Sequence, residues 1–127
     1  MIVVDASAAL TSLLNDGPAR AAFGRERLHA PYLLDSEVAS GLRRRVLAGQ
    51  LGAADGWNAL NTMRRLGMTR YPAHTLAERV WQLRENLSAY DATYVALAEA
   101  LGCDLLTADA RLTRSPGIRC SVTVVPR

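Results

Sequence analysis

Lysine is absent from this 127-residue chain, cysteine occurs only twice, and no long apolar run is present. Since no apolar stretch approaches the roughly 20 residues of a membrane helix, we expect no membrane-spanning segment. The amino terminus lacks a basic region and Asp5 interrupts the only apolar start, so a secretory signal peptide is not expected either. These absences predict a cytoplasmic protein with no membrane partner.

The two cysteines also limit the metal chemistry that the chain can support. Cys103 and Cys120 lack CxxC spacing, and His29 and His74 do not flank them at the intervals of a zinc site. A structural disulfide is not expected in a cytoplasmic chain. We therefore expect two buried, reduced thiols.

Arginine and apolar residues are what the chain has in quantity. All 15 Lys-or-Arg positions are arginine, the formal net charge is +3 and the sequence pI is about 9.3. Arginine suits bidentate contact with phosphate and stacking on bases, and a basic surface favours a polyanionic partner. With 50% hydrophobic and 21% charged residues the composition is globular, and the length predicts one domain over residues 1–127.

Short apolar runs predict the strands. Ile2-Val3-Val4 ends directly at Asp5, and an unbroken run of this kind predicts a strand buried on both faces, at the centre of a parallel sheet. Leu105-Leu106-Thr107 predicts a second buried strand, followed by Asp109. Further short strands are predicted at residues 28–30, 68–71 and 122–125.

Helical patterns separate these strands. The predicted helices cover residues 6–14, 19–27, 32–49, 53–66, 75–87 and 88–101, with a short helical turn at 108–112. Two of them begin with capping-box spacing, Thr75 with Glu78 and Ser88 with Asp91. Strands that alternate with helices predict a three-layer α/β/α domain with a central, mainly parallel sheet.

Four acidic residues fall at comparable places in this plan. Asp5 and Asp109 follow predicted buried strands, whereas Glu37 and Asp91 lie in the first turns of predicted helices. In a parallel α/β sheet these strand ends and helix starts share one edge, where ligands bind. Each acid alone has another explanation, because acids near helix N-termini complement the macrodipole and cap free N–H groups.

Taken together, the four acids predict a metal site. Ionised carboxylates this close cannot all stay charged without cations, and hard oxygen ligands select Mg²⁺ or Mn²⁺ rather than Zn²⁺. Such ions ionise a water at neutral pH and stabilise an in-line displacement at phosphorus. We therefore predict catalytic and metal-binding roles for Asp5, Glu37, Asp91 and Asp109.

Three further polar residues lie two positions from these acids. Ser7 and Thr107 could orient a carboxylate or a bound water, or could cap helices, and the sequence leaves both interpretations open. Asp35 could take the role of Glu37. Residues two apart lie on different sides of a helix, and we choose Glu37 because it lies beside the apolar stripe of its helix.

Arginines stand close to the acids in sequence. Residues 43–45 are all arginine and lie on the helix of the second acid, and Arg111 follows Asp109. One interpretation is an RNA-phosphate contact strip formed by Arg43, Arg44 and Arg111. The other is a solvated helix face.

Aromatic residues near the motifs have a simpler expected role. Trp57 and Trp81 occupy apolar helix positions, which indicates core or dimer contacts rather than platforms for bases. Tyr90 and Tyr94 flank Asp91, and core packing is the expectation for both.

Four segments, one around each acid, carry a family resemblance. They resemble the acidic motifs of PIN-domain ribonucleases, and most closely those of the VapC toxins of bacterial toxin–antitoxin pairs, over nearly the whole chain. The most specific parts are Tyr90-Asp91-Ala92 and Leu106-Thr107-Ala108-Asp109. The segments are Val3-Val4-Asp5-Ala6-Ser7, Leu34-Asp35-Ser36-Glu37-Val38, Ser88-Ala89-Tyr90-Asp91-Ala92-Thr93-Tyr94 and Leu105-Leu106-Thr107-Ala108-Asp109.

The resemblance implies a Mg²⁺- or Mn²⁺-dependent endoribonuclease that cleaves structured RNA, either tRNA or rRNA. Its ligands would be the four acids, with Ser7 and Thr107 in support. It also implies a homodimer and a cognate VapB-type antitoxin whose tail covers the acidic groove.

Other classes with acids at strand ends fit less well. A receiver domain needs a lysine, which the chain lacks, and a haloacid-dehalogenase-like phosphatase needs an acid where Ser7 stands. A P-loop or dinucleotide fold needs a glycine-rich turn after the first strand, which is absent. The alternative that remains is a catalytically silent RNA- or partner-binding module on the same fold, against which the four intact acids argue.

Overall fold

The computed structural model describes residues 1–127, and five short strands form its central sheet. The order across the sheet is β3-β2-β1-β4-β5, and every neighbouring pair is parallel. The prediction of a central, mainly parallel sheet with the first strand in its middle is thus confirmed. The strands are β1 (Ile2–Val4), β2 (Leu28–Pro31), β3 (Thr69–Tyr71), β4 (Asp104–Thr107) and β5 (Val122–Val124).

Six α-helices cover the sheet in a three-layer α/β/α arrangement. Helix α1 contacts α2, α3 and α4, and α3 also contacts α4. Helix α5 packs on α6, which contacts β1, β2 and β4. No helix is both long and apolar enough to cross a membrane. The helices are α1 (Ala6–Leu14), α2 (Pro18–Arg25), α3 (Leu33–Leu47), α4 (Ala53–Arg64), α5 (Ala77–Gln82) and α6 (Ala89–Leu101), with 3₁₀ helices at His74–Leu76 and Ala110–Arg114.

The core lies along the two central strands. Val3 and Val4 of β1 and Leu105 and Leu106 of β4 are buried almost completely, because helices cover both faces of the sheet at these positions. The unbroken apolar runs that predicted buried strands are therefore the centre of the fold. Both strands deliver their last residues to the same edge of the sheet.

The predicted helix over residues 75–87 is wrong in its extent. A 3₁₀ turn at His74–Leu76 precedes α5, which has only six residues, and residues 83–86 form turns. Thr75 does not cap a helix, since its hydroxyl donates backwards to the carbonyl of Pro72 at 3.3 Å. Threonine side chains compete for backbone groups in this way outside helices. The capping box predicted at Thr75 is therefore absent.

The tryptophans and cysteines differ from expectation in their burial. Trp57 and Trp81 are 55% and 68% exposed, so the core interpretation is wrong, and dimer contact stays a prediction. The buried side of α4 comprises Gly56, Ala59 and Met63 and does not include Trp57. Both cysteines are free thiols, as expected, but are only partly buried.

Candidate active site

Asp5 leaves the carboxyl end of β1 and becomes the N-cap of α1. One carboxylate oxygen accepts a hydrogen bond from the backbone N–H of Ala8 at 2.9 Å and another from the hydroxyl of Ser7 at 2.7 Å. The other oxygen accepts from the hydroxyl of Thr107. Asp5 is only 5% exposed. Asp5 therefore caps α1 and also places a fixed carboxylate at the sheet edge, so the two interpretations of the sequence are both correct for this residue.

Ser7 and Thr107 join the ends of β1 and β4 around this carboxylate. The Ser7 hydroxyl accepts from the N–H of Ala108 at 2.8 Å, and the Thr107 hydroxyl accepts from the N–H of Asp109 at 3.0 Å. Their two oxygens are 3.2 Å apart. Asp5 and Asp109 cap the helices that follow the two strands, so both hydroxyls act as supports of Asp5 rather than as caps, while a role toward a bound water stays a prediction.

Glu37 lies in the second turn of α3 and receives a short hydrogen bond from α6. The hydroxyl of Tyr94 donates to Glu37 Oε1 at 2.6 Å, and Tyr94 itself is 2% exposed, which confirms its predicted packing in the core. Asp35 faces another way, where it forms a two-point ion pair with Arg70 of β3 at 2.6 and 2.9 Å. The structure therefore brings Glu37, and not Asp35, toward the other acids.

Asp91 and Asp109 complete the acidic edge from α6 and from the turn after β4. Ser88 caps α6 by accepting the N–H of Asp91 at 3.1 Å, which confirms the predicted cap. Asp109 caps the 3₁₀ helix and is held by the guanidinium of Arg111 at 2.7 to 3.2 Å. Arg111 therefore pairs with an acid of the site.

Three of these carboxyl groups, those of Asp5, Glu37 and Asp91, have raised pKa values. Burial raises the pKa of Asp5, Glu37 and Asp91 above the ordinary range, while hydrogen bonds from Thr107 and Tyr94 oppose the rise at the first two. The charge of Asp91 adds to the increase at both Asp5 and Glu37. By contrast, the bond from Arg111 lowers the pKa of Asp109, whose charge still raises that of Asp91. Acids from four separate elements thus interact electrostatically.

The donors at this edge fit a hard divalent cation by their chemistry. Carboxylate and hydroxyl oxygens are the ligands that Mg²⁺ and Mn²⁺ prefer, and a cation would relieve the repulsion that raises three of the pKa values. No group of three or more acidic, histidine or cysteine side chains is already gathered as a metal-binding cluster. The carboxylate of Asp109 is paired with Arg111 instead.

A groove with a volume of about 780 Å³ opens beside the acids, between α1 and α3. Arg44, Arg45 and Arg127 line it, together with Glu37 and Tyr90. Tyr90 is 64% exposed, so its predicted place in the core is wrong: the first turn of α6 points it outward.

The structure separates the arginines that the sequence grouped. Arg44 lines the groove with Glu37, whereas Arg43 lies on the other side of α3, in a shallow apolar groove against α4. On a helix, residues seven and eight positions after Glu37 share its face, and a residue six positions on does not. That periodicity could have identified Arg45. No signal in the sequence places the terminal Arg127 here.

Known proteins share the sequence that forms this acidic edge. Residues 2–117 match the model of the PIN domain. The chain is 64% identical over 127 residues to ribonuclease VapC9 of Mycobacterium tuberculosis, with full coverage of both chains. It is 41% identical over 128 residues to ribonuclease VapC1 of the same species, covering 97% of this chain and 96% of the relative.

Solved structures show the same fold. A toxin–antitoxin complex from Klebsiella pneumoniae contains a chain that superposes with a TM-score of 0.73 at 19% identity, covering 100% of both chains. The fold and the acidic edge thus define a PIN-domain protein. Within that family, the chain belongs to the VapC ribonucleases, which confirms the resemblance seen in the four acidic segments.

Proposed function

We propose that this protein is a metal-dependent endoribonuclease that hydrolyses phosphodiester bonds of RNA and acts as the toxin of a VapBC pair. The observation that carries the proposal is the convergence of Asp5, Glu37 and Asp91 on one sheet edge from β1, α3 and α6, where the charge of Asp91 raises the pKa of the other two. The VapC relatives are named ribonucleases, which supports the same activity.

The acids of the site would hold the metal ion that the reaction needs. Asp5, fixed by Ser7 and Thr107, together with Glu37, Asp91 and Asp109, would hold Mg²⁺ or Mn²⁺. When bound, such an ion stabilises the attacking and leaving oxygens of a displacement at phosphorus. Water supplies the oxygen that bonds to phosphorus and gives up one proton, the P–O bond to the leaving nucleotide breaks, and the leaving oxygen takes up one proton in its place.

Release of Asp109 from Arg111 is part of this proposal. As long as the guanidinium occupies both oxygens of Asp109, that carboxylate is already neutralised. A cation at the site would compete for the same oxygens and leave Arg111, which is largely exposed, able to contact a phosphate. Arg44 and Arg43 are the other arginines for which we propose RNA contacts, and Arg44 is the one on the side of the acids.

We further propose structured RNA, either tRNA or rRNA, as the substrate, in the cytoplasm. The partners would be a second copy of the chain in a homodimer and a VapB-type antitoxin. The solved neighbour in a toxin–antitoxin complex supports a partner of that kind. The basic pI supports a polyanionic substrate.

Cleavage of purified tRNA and of an rRNA fragment with Mn²⁺ or with EDTA tests the proposal. Asp5→Asn and Asp91→Asn should each lower the cleavage rate by roughly 100-fold or more while far-UV circular dichroism stays unchanged. Asp104→Asn is the matched control, because Asp104 lies at the opposite, amino-terminal end of β4. Cleavage that persists in both site variants would reject the assignment. RNA binding without cleavage under any ion would favour the silent binding module instead.

A further inference from the structure

The groove between α1 and α3 begins at the acids and leads away from them. Ser7 and Glu37 lie at its acidic end, and α1 lines it from Ala6 to its C-cap Asn15. A helix of this length makes the groove about 13 Å long. Part of the groove wall is apolar and is formed by Leu10, Leu14 and Leu51. The groove can therefore contact bases as well as charged phosphates.

The positive charges in the groove are not held in close ion pairs. Arg44, Arg45 and Arg127 form no ion pair: their guanidinium groups donate instead to Ser40, Gly41 and Ala108 at 3.2, 3.0 and 3.3 Å. Glu37 at the acidic end is the sole carboxylate in the lining. Three cations along one groove favour a chain of phosphates.

Tyr90 differs from the two exposed tryptophans in having a free ring beside the groove. Arginine side chains lie over the rings of Trp57 and Trp81, with 5.8 and 4.9 Å from the guanidinium carbon to the ring centre. Tyr90 has no aromatic or cationic partner of this kind, is 64% exposed and borders the groove directly before Asp91. An aromatic ring between a basic groove and a cleavage site is suited to stack on a base.

We propose that Tyr90 is a base-stacking platform for unpaired RNA that lies in the α1–α3 groove, with Arg44, Arg45 and Arg127 on its phosphates. The inference rests on the proposed ribonuclease function and narrows its substrate to RNA whose nucleotides next to the cleavage site are single-stranded. Because Tyr90 adjoins Asp91, the stacked base belongs to a nucleotide beside the scissile phosphate. A duplex cannot offer such a base without unstacking it.

Binding measured apart from cleavage tests this inference. The probes are 5′-fluorescein-labelled oligoadenylate and oligouridylate of eight nucleotides in EDTA, with affinity taken from fluorescence anisotropy. Tyr90→Leu should weaken oligoadenylate binding by roughly 5- to 140-fold, and oligouridylate binding less, since stacking contributes about 1–3 kcal/mol per base. Tyr90→Phe keeps the ring and should bind within twofold of wild type. Tyr32→Leu is the control, because Tyr32 is 60% exposed but does not line the groove.

The arginines give an independent measurement in the same assay. Arg44→Gln and Arg45→Gln should each reduce the slope of log affinity against log salt by about 0.7, the value for one phosphate contact on a single strand. Arg65→Gln is the matched control: Arg65 is exposed but does not line the groove, so its loss should leave the slope unchanged.

Several results would overturn the inference. They are unchanged affinity in Tyr90→Leu, equal losses in Tyr90→Phe and Tyr90→Leu, an equal loss in the Tyr32 control, and failure of the wild type to bind either oligomer. Conversion of a dimer to a monomer by Tyr90→Leu in sedimentation velocity would assign the ring to an interface between copies instead. Wild-type cleavage of tRNA or rRNA with Mn²⁺ is scored separately, so loss of the platform and loss of the ribonuclease function are distinguishable.

Discussion

At the residue scale, the hydrogen bond from the buried Tyr94 hydroxyl holds the carboxylate of Glu37 in place. Tyr94 is buried, and its hydroxyl has one partner, 2.6 Å away on another helix. Burial and that bond raise the pKa of the Tyr94 hydroxyl, so it stays a donor at any working pH. Tyr94 is therefore a positioning residue for Glu37.

Tyr94→Phe should reduce RNA cleavage by roughly 10-fold and weaken the apparent affinity for Mn²⁺, because partners of a metal ligand typically contribute 10- to 100-fold. Mn²⁺ titrations of the cleavage rate and of intrinsic fluorescence provide the measurement. Tyr71→Phe is the matched control: it removes a hydroxyl that bonds His29 at 2.7 Å, away from the acids. Equal losses of activity in the two variants would contradict a specific role.

The sequence predicted the acids and the two hydroxyls that support Asp5, but not the partner of Glu37. Asp5 and Asp109 follow apolar runs, so their place at the strand ends was evident. Tyr94 stands three residues after Asp91, which puts both on one helix face, but nothing in the sequence shows that α3 brings Glu37 within reach. Long-range partners of this kind depend on helix packing.

At the element scale, two serine or threonine residues with the same predicted role differ in the structure. Ser88 caps α6, the helix that carries Asp91, whereas Thr75 caps no helix. The pattern of Ser or Thr three residues before an acid is identical in both cases. The difference arises because the first turn at Thr75 is a 3₁₀ helix, with the hydroxyl turned back to Pro72.

Ser88→Ala should lower the free energy of unfolding by about 1 kcal/mol, the usual cost of a lost N-cap. Thr75→Ala should change it by less than about 0.5 kcal/mol, as expected for an exposed position without such a role. Urea denaturation followed by circular dichroism compares them directly. A larger loss in the Thr75 variant than in the Ser88 variant would contradict the assignment of the caps.

At the scale of the whole molecule, the sheet order decides which side chains meet. The sequence predicted β1 as central from its apolarity, but it could not predict that β5 pairs beside β4 and so directs the carboxyl terminus to the acidic edge. Arg127 reaches the groove for that reason, where its guanidinium bonds Ala108. The tertiary arrangement therefore adds a positive residue that no local pattern marks.

The acidic edge should also lower the free energy of unfolding at neutral pH when no metal is bound. Burial and the charges of Asp91 and Asp5 raise the folded-state pKa of Glu37 above its ordinary value of 4.5. The stability linked to this group is present below pH 4.5 and is lost as pH rises through the folded-state pKa. At neutral pH without metal, the ionised Glu37 therefore destabilises the folded state.

Glu37→Gln removes that charge and keeps an oxygen for Tyr94. In EDTA at neutral pH it should raise the free energy of unfolding by a few tenths to about 1 kcal/mol, since solvent screens a half-buried group. The gain should vanish as pH falls toward 4.5. The lowered pKa of His29 acts in the opposite direction, because its stability is lost as pH falls, but it cancels in the difference between variant and wild type. Urea denaturation across this pH range, with the exposed Glu85→Gln as control, measures the difference.

Addition of Mn²⁺ should make the wild type more stable than Glu37→Gln. An ion that binds only the folded state stabilises it by about 2.7 kcal/mol at 100 times its dissociation constant, and the wild type retains the carboxylate that Glu37→Gln lacks. The wild type should then melt at the higher temperature. If Mn²⁺ leaves the variant ahead, Glu37 does not bind the ion, and the proposed metal site is wrong at this residue.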